Sequence, residues 1–225
     1  MAATDPRLRS VVSGRPRASA RQRRLGQNFL ADPNLLAAIV RDAALEPGDV
    51  VLEVGGGAGA LTELLAPEAA LVHVVEMDER LRGELEPLAE RLRNLRLHWG
   101  DAMKLDLAAL DPAPTRMVAN LPYSIATPLL LRTIEELPSL GAWLLMVQRE
   151  IADRLRAEPG GRRYGAPSVQ AQIACDVTLV RPVDPAVFTP RPRVGSALLR
   201  LERRGPAAPP QLRELVREGF AHRRK

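Results

Sequence analysis

The most constraining feature of the sequence is the loop Gly55-Gly56-Gly57-Ala58-Gly59, placed directly after the apolar run Val50-Val51-Leu52-Glu53-Val54. A short run of this kind reads as a strand buried on both faces. Helical periodicity resumes at Leu61, Leu64 and Leu65. Strand, glycine loop and helix form a nucleotide-binding arrangement, because glycines let the backbone approach a ligand closely. A second strand, Leu71 to Val75, ends at Glu76, 17 residues after Gly59. A carboxylate there is placed to accept both hydroxyls of an adenosine ribose.

Two cofactors suit such a loop. A dinucleotide site carries Gly-x-Gly-x-x-Gly, with pyrophosphate on the helix N-terminus. Here the last interval is shorter, Gly57-Ala58-Gly59, and Glu53 stands two residues before the first glycine. That carboxylate would repel a pyrophosphate and tolerate a cationic sulfonium, so S-adenosylmethionine is favoured over a nicotinamide cofactor. A third strand, Leu95 to His98, leads into Gly100-Asp101-Ala102. Asp101 is placed to accept the adenine amino group; in isolation it would be an ordinary turn residue.

A fourth strand, Arg116 to Ala119, closes on Asn120-Leu121-Pro122-Tyr123. In isolation this is a strand-to-turn junction. Beside the glycine loop it suits methylation of a planar exocyclic amine, whose lone pair is conjugated with its ring. Acceptors for both N–H groups localise that pair, and the Asn120 amide oxygen and Leu121 carbonyl are two such acceptors. Pro122 holds Leu121 extended, and Tyr123 offers a face for the base. With a sulfonium as leaving group, in-line geometry carries most of the rate, and no general base is required.

The rest of the pattern fits around these motifs. Asp32-Pro33 starts a helix with Leu35, Leu36, Ile39 and Val40 on its apolar face. Further helices are expected over Glu79–Arg93 and Thr127–Glu136, a strand over Trp143–Val147, and two last strands at Val177–Val180 and Ala197–Leu201. Alternating strands and helices predict an α/β fold, a mostly parallel sheet with helices on both faces. Gly205-Pro206 and Pro209-Pro210 read as a linker, after which Leu212, Leu215, Val216 and Phe220 begin an amphipathic helix.

Charge is spread unevenly: net +6 over residues 1–24, −8 over 25–190 and +7 over 191–225. An acidic body with basic ends points to a polyanionic partner, nucleic acid, rather than a membrane. The single Cys175 excludes an internal disulfide and a cysteine metal site, and His73, His98 and His222 lack ligand spacing, so no metal is expected. A reducing cytoplasm is the expected compartment.

In this order the motifs resemble those of the ribosomal RNA adenine N6-dimethyltransferases, the small-subunit enzymes in particular. The match runs from about Arg23 to Lys225 and includes Gly26-Gln27-Asn28-Phe29-Leu30, Gln148-Arg149-Glu150, Tyr164-Gly165 and Val187-Phe188-Thr189-Pro190-Arg191-Pro192. The resemblance implies a Rossmann-like class I methyltransferase sheet over residues 25–204, preceded by a flexible basic arm over 1–24. Residues 205–225 would begin a small C-terminal helical domain that is incomplete. It implies transfer of methyl groups from S-adenosylmethionine to N6 of two adjacent adenosines near the 3′ end of small-subunit ribosomal RNA, by a monomer acting on a pre-ribosomal particle. Carried over by position, Asn28, Leu30, Gly55, Gly57, Glu76, Asp101, Ala102 and Asn120 line the cofactor site. Tyr123 and Phe188 would sandwich the target base, and Arg191, Arg193, Arg203 and Arg204 would grip phosphates. The chain departs from the family's usual Gly-Pro-Gly at Gly55-Gly56-Gly57, which predicts a more flexible loop. It also has Gly195 where aspartate is common.

Competing readings are a large-subunit adenine methyltransferase of the antibiotic-resistance type, a non-catalytic RNA-binding, assembly or transcription factor on the same fold, a nicotinamide oxidoreductase, and a DNA adenine methyltransferase.

Overall fold

The computed structural model describes residues 29–30 and 32–221. The elements in chain order are β1 (Phe29–Leu30), α1 (Pro33–Ala43), β2 (Val50–Val54), α2 (Thr62–Leu65), β3 (Leu71–Glu76), α3 (Arg82–Arg91), β4 (Leu95–Trp99) and β5 (Arg116–Asn120). There follow α4 (Ala126–Glu136), β6 (Ala142–Gln148), α5 (Arg149–Leu155), α6 (Ala166–Ala174), β7 (Cys175–Val183), β8 (Phe188–Thr189), β9 (Ser196–Arg203) and α7 (Pro210–Ala221).

Seven strands make one sheet in the order β4-β3-β2-β5-β6-β9-β7. The first five run parallel, and β9 lies antiparallel to both β6 and β7. All five parallel strands therefore end on one edge, and the strand order reverses between β2 and β5, where open α/β sheets bind ligands. Separately, β1 and β8 form an antiparallel ribbon, with Leu30 opposite Phe188.

Two-residue periodicity divides the sheet's side chains between two apolar cores. Leu52, Met117, Ala119, Trp143, Leu145 and Leu199 pack on the face covered by Leu129 and Leu130 of α4 and Ala171 of α6. Val51, Val74, Val118, Leu144, Met146 and Leu198 pack on the other, with Leu36 and Ile39 of α1, Leu65 of α2 and Leu85 of α3. The helix starting at Asp32-Pro33 forms as expected: the Asp32 carboxylate accepts the N–H groups of Asn34 and Leu35 at 2.9 Å, and Ala44 closes it in the left-handed region at φ +48°.

Helix α6 is absent from the periodic pattern of the sequence. Its buried residues are Ser168, Ala171 and Ala174, small side chains that set close packing without marking an apolar stripe. The last helix, α7, lies back against the body. Phe220 meets Tyr164 edge-on with ring centroids 5.9 Å apart, and Arg213 pairs with Glu135 at 3.1 Å. No helix among the described residues is long and apolar enough to cross a membrane.

Candidate active site

The carboxyl ends of adjacent strands gather the residues singled out by the sequence. From β4 through β3 and β2 to β5 they present Asp101, Glu76, the glycine loop and Asn120 in spatial order. The loop is tied to the sheet by the Gly55 N–H, which donates to the Val75 carbonyl at 2.8 Å. Gly55 has φ +81°, and a Cβ there would lie 3.5 Å from Pro122 Cδ and 3.7 Å from the Asn120 carbonyl oxygen. The loop and the Asn-Leu-Pro-Tyr turn are therefore neighbours in space, although 65 residues separate Gly55 from Asn120.

Glu76 is buried and organises the loop. Its Oε2 accepts the Gly57 N–H at 3.0 Å, and Oε1 accepts the N–H groups of Met77 and Asp78 at 2.8 Å each. A carboxylate oxygen carries two acceptor positions, so Oε2 retains one for a hydroxyl. Burial outweighs these three donors and leaves the Glu76 pKa above the ordinary glutamate value. Asp101 is half-buried. Its Oδ1 accepts the Met103 N–H at 2.9 Å, while Oδ2 lies 4.0 Å from Lys104 Nζ. Ala102 is buried, and its carbonyl accepts from Arg132 Nη1 at 2.7 Å. Arg132 Nη2 holds the Leu105 carbonyl at 2.9 Å, so α4 clamps the Asp101 loop from behind. Sequence periodicity gives no sign of this role.

Glu53 corrects one expectation. It does not present a charge to a ligand: it is 2% exposed, and its Oε2 accepts from Thr62 Oγ1 at 2.6 Å. Burial pushes its pKa up to about 8; the Thr62 hydrogen bond opposes this and the nearby Glu76 charge adds to it. Glu53 therefore carries a proton at neutral pH, and its resting charge cannot be what turns a pyrophosphate away. Gly56 is closely packed. A Cβ on it would lie 2.5 Å from Val74 Cγ1. Glycine at this position accommodates Val74 beneath the loop.

At the turn, the Leu121 side chain is buried and its N–H donates to the Met146 carbonyl at 3.2 Å, which fixes the turn against β6. The Tyr123 hydroxyl lies 2.8 Å from Ser196 Oγ. Burial raises the Tyr123 pKa against that hydrogen bond, so the phenol stays neutral. Ser196 carries only a faint signal in the sequence. Its signal is a polar residue opening the apolar strand Ala197-Leu198-Leu199.

The remaining expectations divide. Leu30 is buried in the β1–β8 ribbon. Phe188 is 3% exposed and belongs to the same apolar cluster as Leu30 and Val183, so in this structure it offers no face beside Tyr123. Arg191 and Arg193 are exposed on the connection before β9, with Arg191 3.8 Å from Asp184. Asn28 and the basic arm over 1–24 lie outside the described residues.

Arg203 and Arg204 do not lie beside the site as expected. Because β9 is antiparallel, its Arg203 end lies at the opposite edge of the sheet from the loop. Arg203 donates to the carbonyls of Ile134, Leu137 and Leu140 at 3.1, 3.1 and 2.6 Å, capping α4, and lies 5.0 Å over the Trp143 ring. Arg204 pairs with Asp176 at 3.2 Å and donates to the Gln172 carbonyl.

This fold is shared with solved methyltransferases. The crystal structure of a dimethyladenosine transferase from Plasmodium falciparum superposes with a TM-score of 0.76 at 30% identity, covering 88% of this chain and 72% of that one. That of the 23S rRNA methyltransferase ErmE gives 0.71 at 29% identity, covering 86% and 78%. The chain thus has the Rossmann-like class I methyltransferase fold, whose members of this kind use S-adenosylmethionine, and the residues present fit that cofactor: a glycine loop, a buried carboxyl at Glu76 with an acceptor position to spare, and a carboxyl at Asp101.

Sequence comparison narrows the class. The model of the family described as ribosomal RNA adenine dimethylase matches residues 18–225. Curated relatives include the ribosomal RNA small subunit methyltransferase A of Rubrobacter xylanophilus, 46% identical over 91% of this chain and 78% of its own length. That of Rhodospirillum rubrum is 40% identical over 98% and 78%. The chain belongs to the ribosomal RNA adenine dimethylase family.

Proposed function

We propose that the protein transfers methyl groups from S-adenosylmethionine to N6 of two adjacent adenosines near the 3′ end of small-subunit ribosomal RNA, acting as a monomer on a pre-ribosomal particle in the cytoplasm. One observation carries the reading: the glycine loop and the Asn120–Tyr123 turn lie side by side, so close that a Cβ on Gly55 would reach within 3.5 Å of Pro122, and a donor held by one is next to an acceptor held by the other. The small-subunit assignment draws on the relatives named above, which share 40–46% identity with the chain.

In this reading Leu30, Gly55, Gly57, Glu76, Asp101 and Ala102, with Asn28 and Asn120, hold the cofactor. When bound, it supplies an electrophilic methyl carbon on a sulfonium that departs as a neutral thioether. The Asn120 amide oxygen and the Leu121 carbonyl accept the two N–H groups of the adenine amine and free its lone pair for attack. Bound cofactor would thus supply both the methyl group and the leaving group, and the surplus amine proton would pass to water. Extruding a base costs a few kcal/mol, and each aromatic face returns about 1–3 kcal/mol. Tyr123 provides one face, oriented by Ser196. A second face from Phe188 requires the β1–β8 ribbon to shift. Arg191 and Arg193 meet the RNA phosphates, and residues 25–204 form the catalytic unit.

The test is methyl transfer from labelled S-adenosylmethionine to immature small subunits lacking these methyls, with large subunits and duplex DNA alongside. N6-dimethyladenosine in small subunits alone is expected. Transfer to large subunits or DNA instead, or cofactor binding with no transfer, refutes the reading.

A further inference from the structure

With Arg203 and Arg204 on the far edge, Arg191 and Arg193 have room for a further cationic surface beside them on the site's edge of the sheet. Such a surface lies just past the end of β6. Three guanidinium groups converge on the carboxylate of Asp153 in α5: Arg149 Nε at 3.2 Å, Arg156 Nε at 3.5 Å, and Arg163 through Nη1. The Asp153 side chain is 13% exposed, whereas those of the three arginines are 43–57% exposed. Burial opposes ionisation of Asp153, but Arg149 and Arg163 outweigh it and hold its carboxyl below the ordinary value. A latch needs one cation per carboxylate. Here one carboxylate holds three, and two positive charges remain uncompensated on a chain body whose net charge is negative.

The cluster is held in place and in register with the site. Gln148 pairs across the sheet with Ser196, the partner of Tyr123. The next residue, Arg149, donates its N–H to the Gly195 carbonyl at 2.9 Å. The end of α5 around Arg156 is pinned by Gln172 Nε2 on the carbonyls of Leu155 and Ala157 at 2.7 and 2.9 Å, and by Ser168 Oγ on the Arg154 carbonyl at 2.6 Å. Guanidinium groups fixed in this way lose little freedom on meeting phosphate oxygens.

We propose that the Arg149–Arg156–Arg163 cluster, organised by Asp153, is a docking surface for the phosphodiester backbone of the RNA that carries the target adenosine. It rests on the RNA-methylating function proposed above.

The experiment compares wild type with the double variant Arg156→Ala/Arg163→Ala. It measures binding of deproteinised small-subunit RNA, and KM and kcat on immature small subunits, at 50 and 200 mM salt. Each phosphate contact adds about 0.7–0.9 to the logarithmic salt slope, so two contacts make the wild type lose about tenfold more affinity than the variant across that range. The expected result is that loss of slope, a raised KM for subunits, and unchanged kcat and cofactor affinity. The charge-preserving pair Arg156→Lys/Arg163→Lys restores the slope, and Arg204→Ala on the opposite edge leaves it intact. An unaltered slope in the alanine pair, or an equal change in Arg204→Ala, overturns the surface. Wild type that binds RNA with the steep slope yet transfers no methyl overturns the function reading while leaving the surface standing.

Discussion

Replacing Glu53 with glutamine keeps the shape of the side chain and removes its titration. The acid is fully enclosed, and burial pushes its pKa up to about 8 from an ordinary value of 4.5. Between these two values the folded protein keeps a proton that the unfolded chain releases, so raising the pH favours unfolding. The slope is about 1.4 kcal/mol per pH unit for one such proton. From pH 5 to pH 8 the wild type should lose on the order of 4 kcal/mol of stability relative to Glu53→Gln. Above pH 8 both states have released the proton, and the two curves should run parallel. Urea unfolding followed by circular dichroism at half-unit steps from pH 5 to 9 measures the difference directly, because other titrating groups cancel between the two proteins. A constant offset across pH 5–8 would show that Glu53 is ionised in the fold and that the enclosure argument is wrong. The same protonation predicts that a cationic ligand at the loop gains affinity over its neutral thioether product as pH rises through 8, in the wild type only.

Three further outcomes are expected. Arg203→Ala removes the cap on three carbonyls at the end of α4 and should destabilise the fold by about 2–4 kcal/mol in urea unfolding, with the salt slope of RNA binding unchanged. Tyr123→Phe keeps the stacking face and loses only the Ser196 bond, so kcat/KM should fall by less than about tenfold, whereas Tyr123→Ala should cost about 5- to 150-fold. Gly56→Ala drives a Cβ into Val74 and should cost about 1–3 kcal/mol. The cost should shrink markedly in a Val74→Ala background, and strict additivity in that double-mutant cycle would refute the packing account.

Much of the fold was legible because its strands are buried on both faces and end in distinctive turns. Val50–Val54 and the glycine loop need only their own sequence to be recognised, and the same is true of Asp32-Pro33 and the Asn120–Tyr123 turn. Helix α6 was not legible, since Ser168, Ala171 and Ala174 pack by smallness and leave no apolar stripe. Nor was the β1–β8 ribbon, whose two-residue strands carry no period. Exposed and buried arginines look alike in sequence. Only the structure shows that Arg203 serves the end of a helix while Arg156 and Arg163 stay half in solvent.

The sequence by itself determined the local units: which segments become strands, where the loop opens, and which acids and amides end each strand. These depend on neighbours a few residues apart, through periodicity, capping and the conformational range of glycine. The tertiary structure decided what those units do together. Long-range pairing set the order β4-β3-β2-β5-β6-β9-β7, which lines up Asp101, Glu76, the loop and Asn120 along one edge. The antiparallel direction of β9 then brought Ser196 to Tyr123 and carried Arg203 and Arg204 to the opposite edge. Enclosure by the packed sheet and helices, a property of no single segment, made Glu53 a neutral acid.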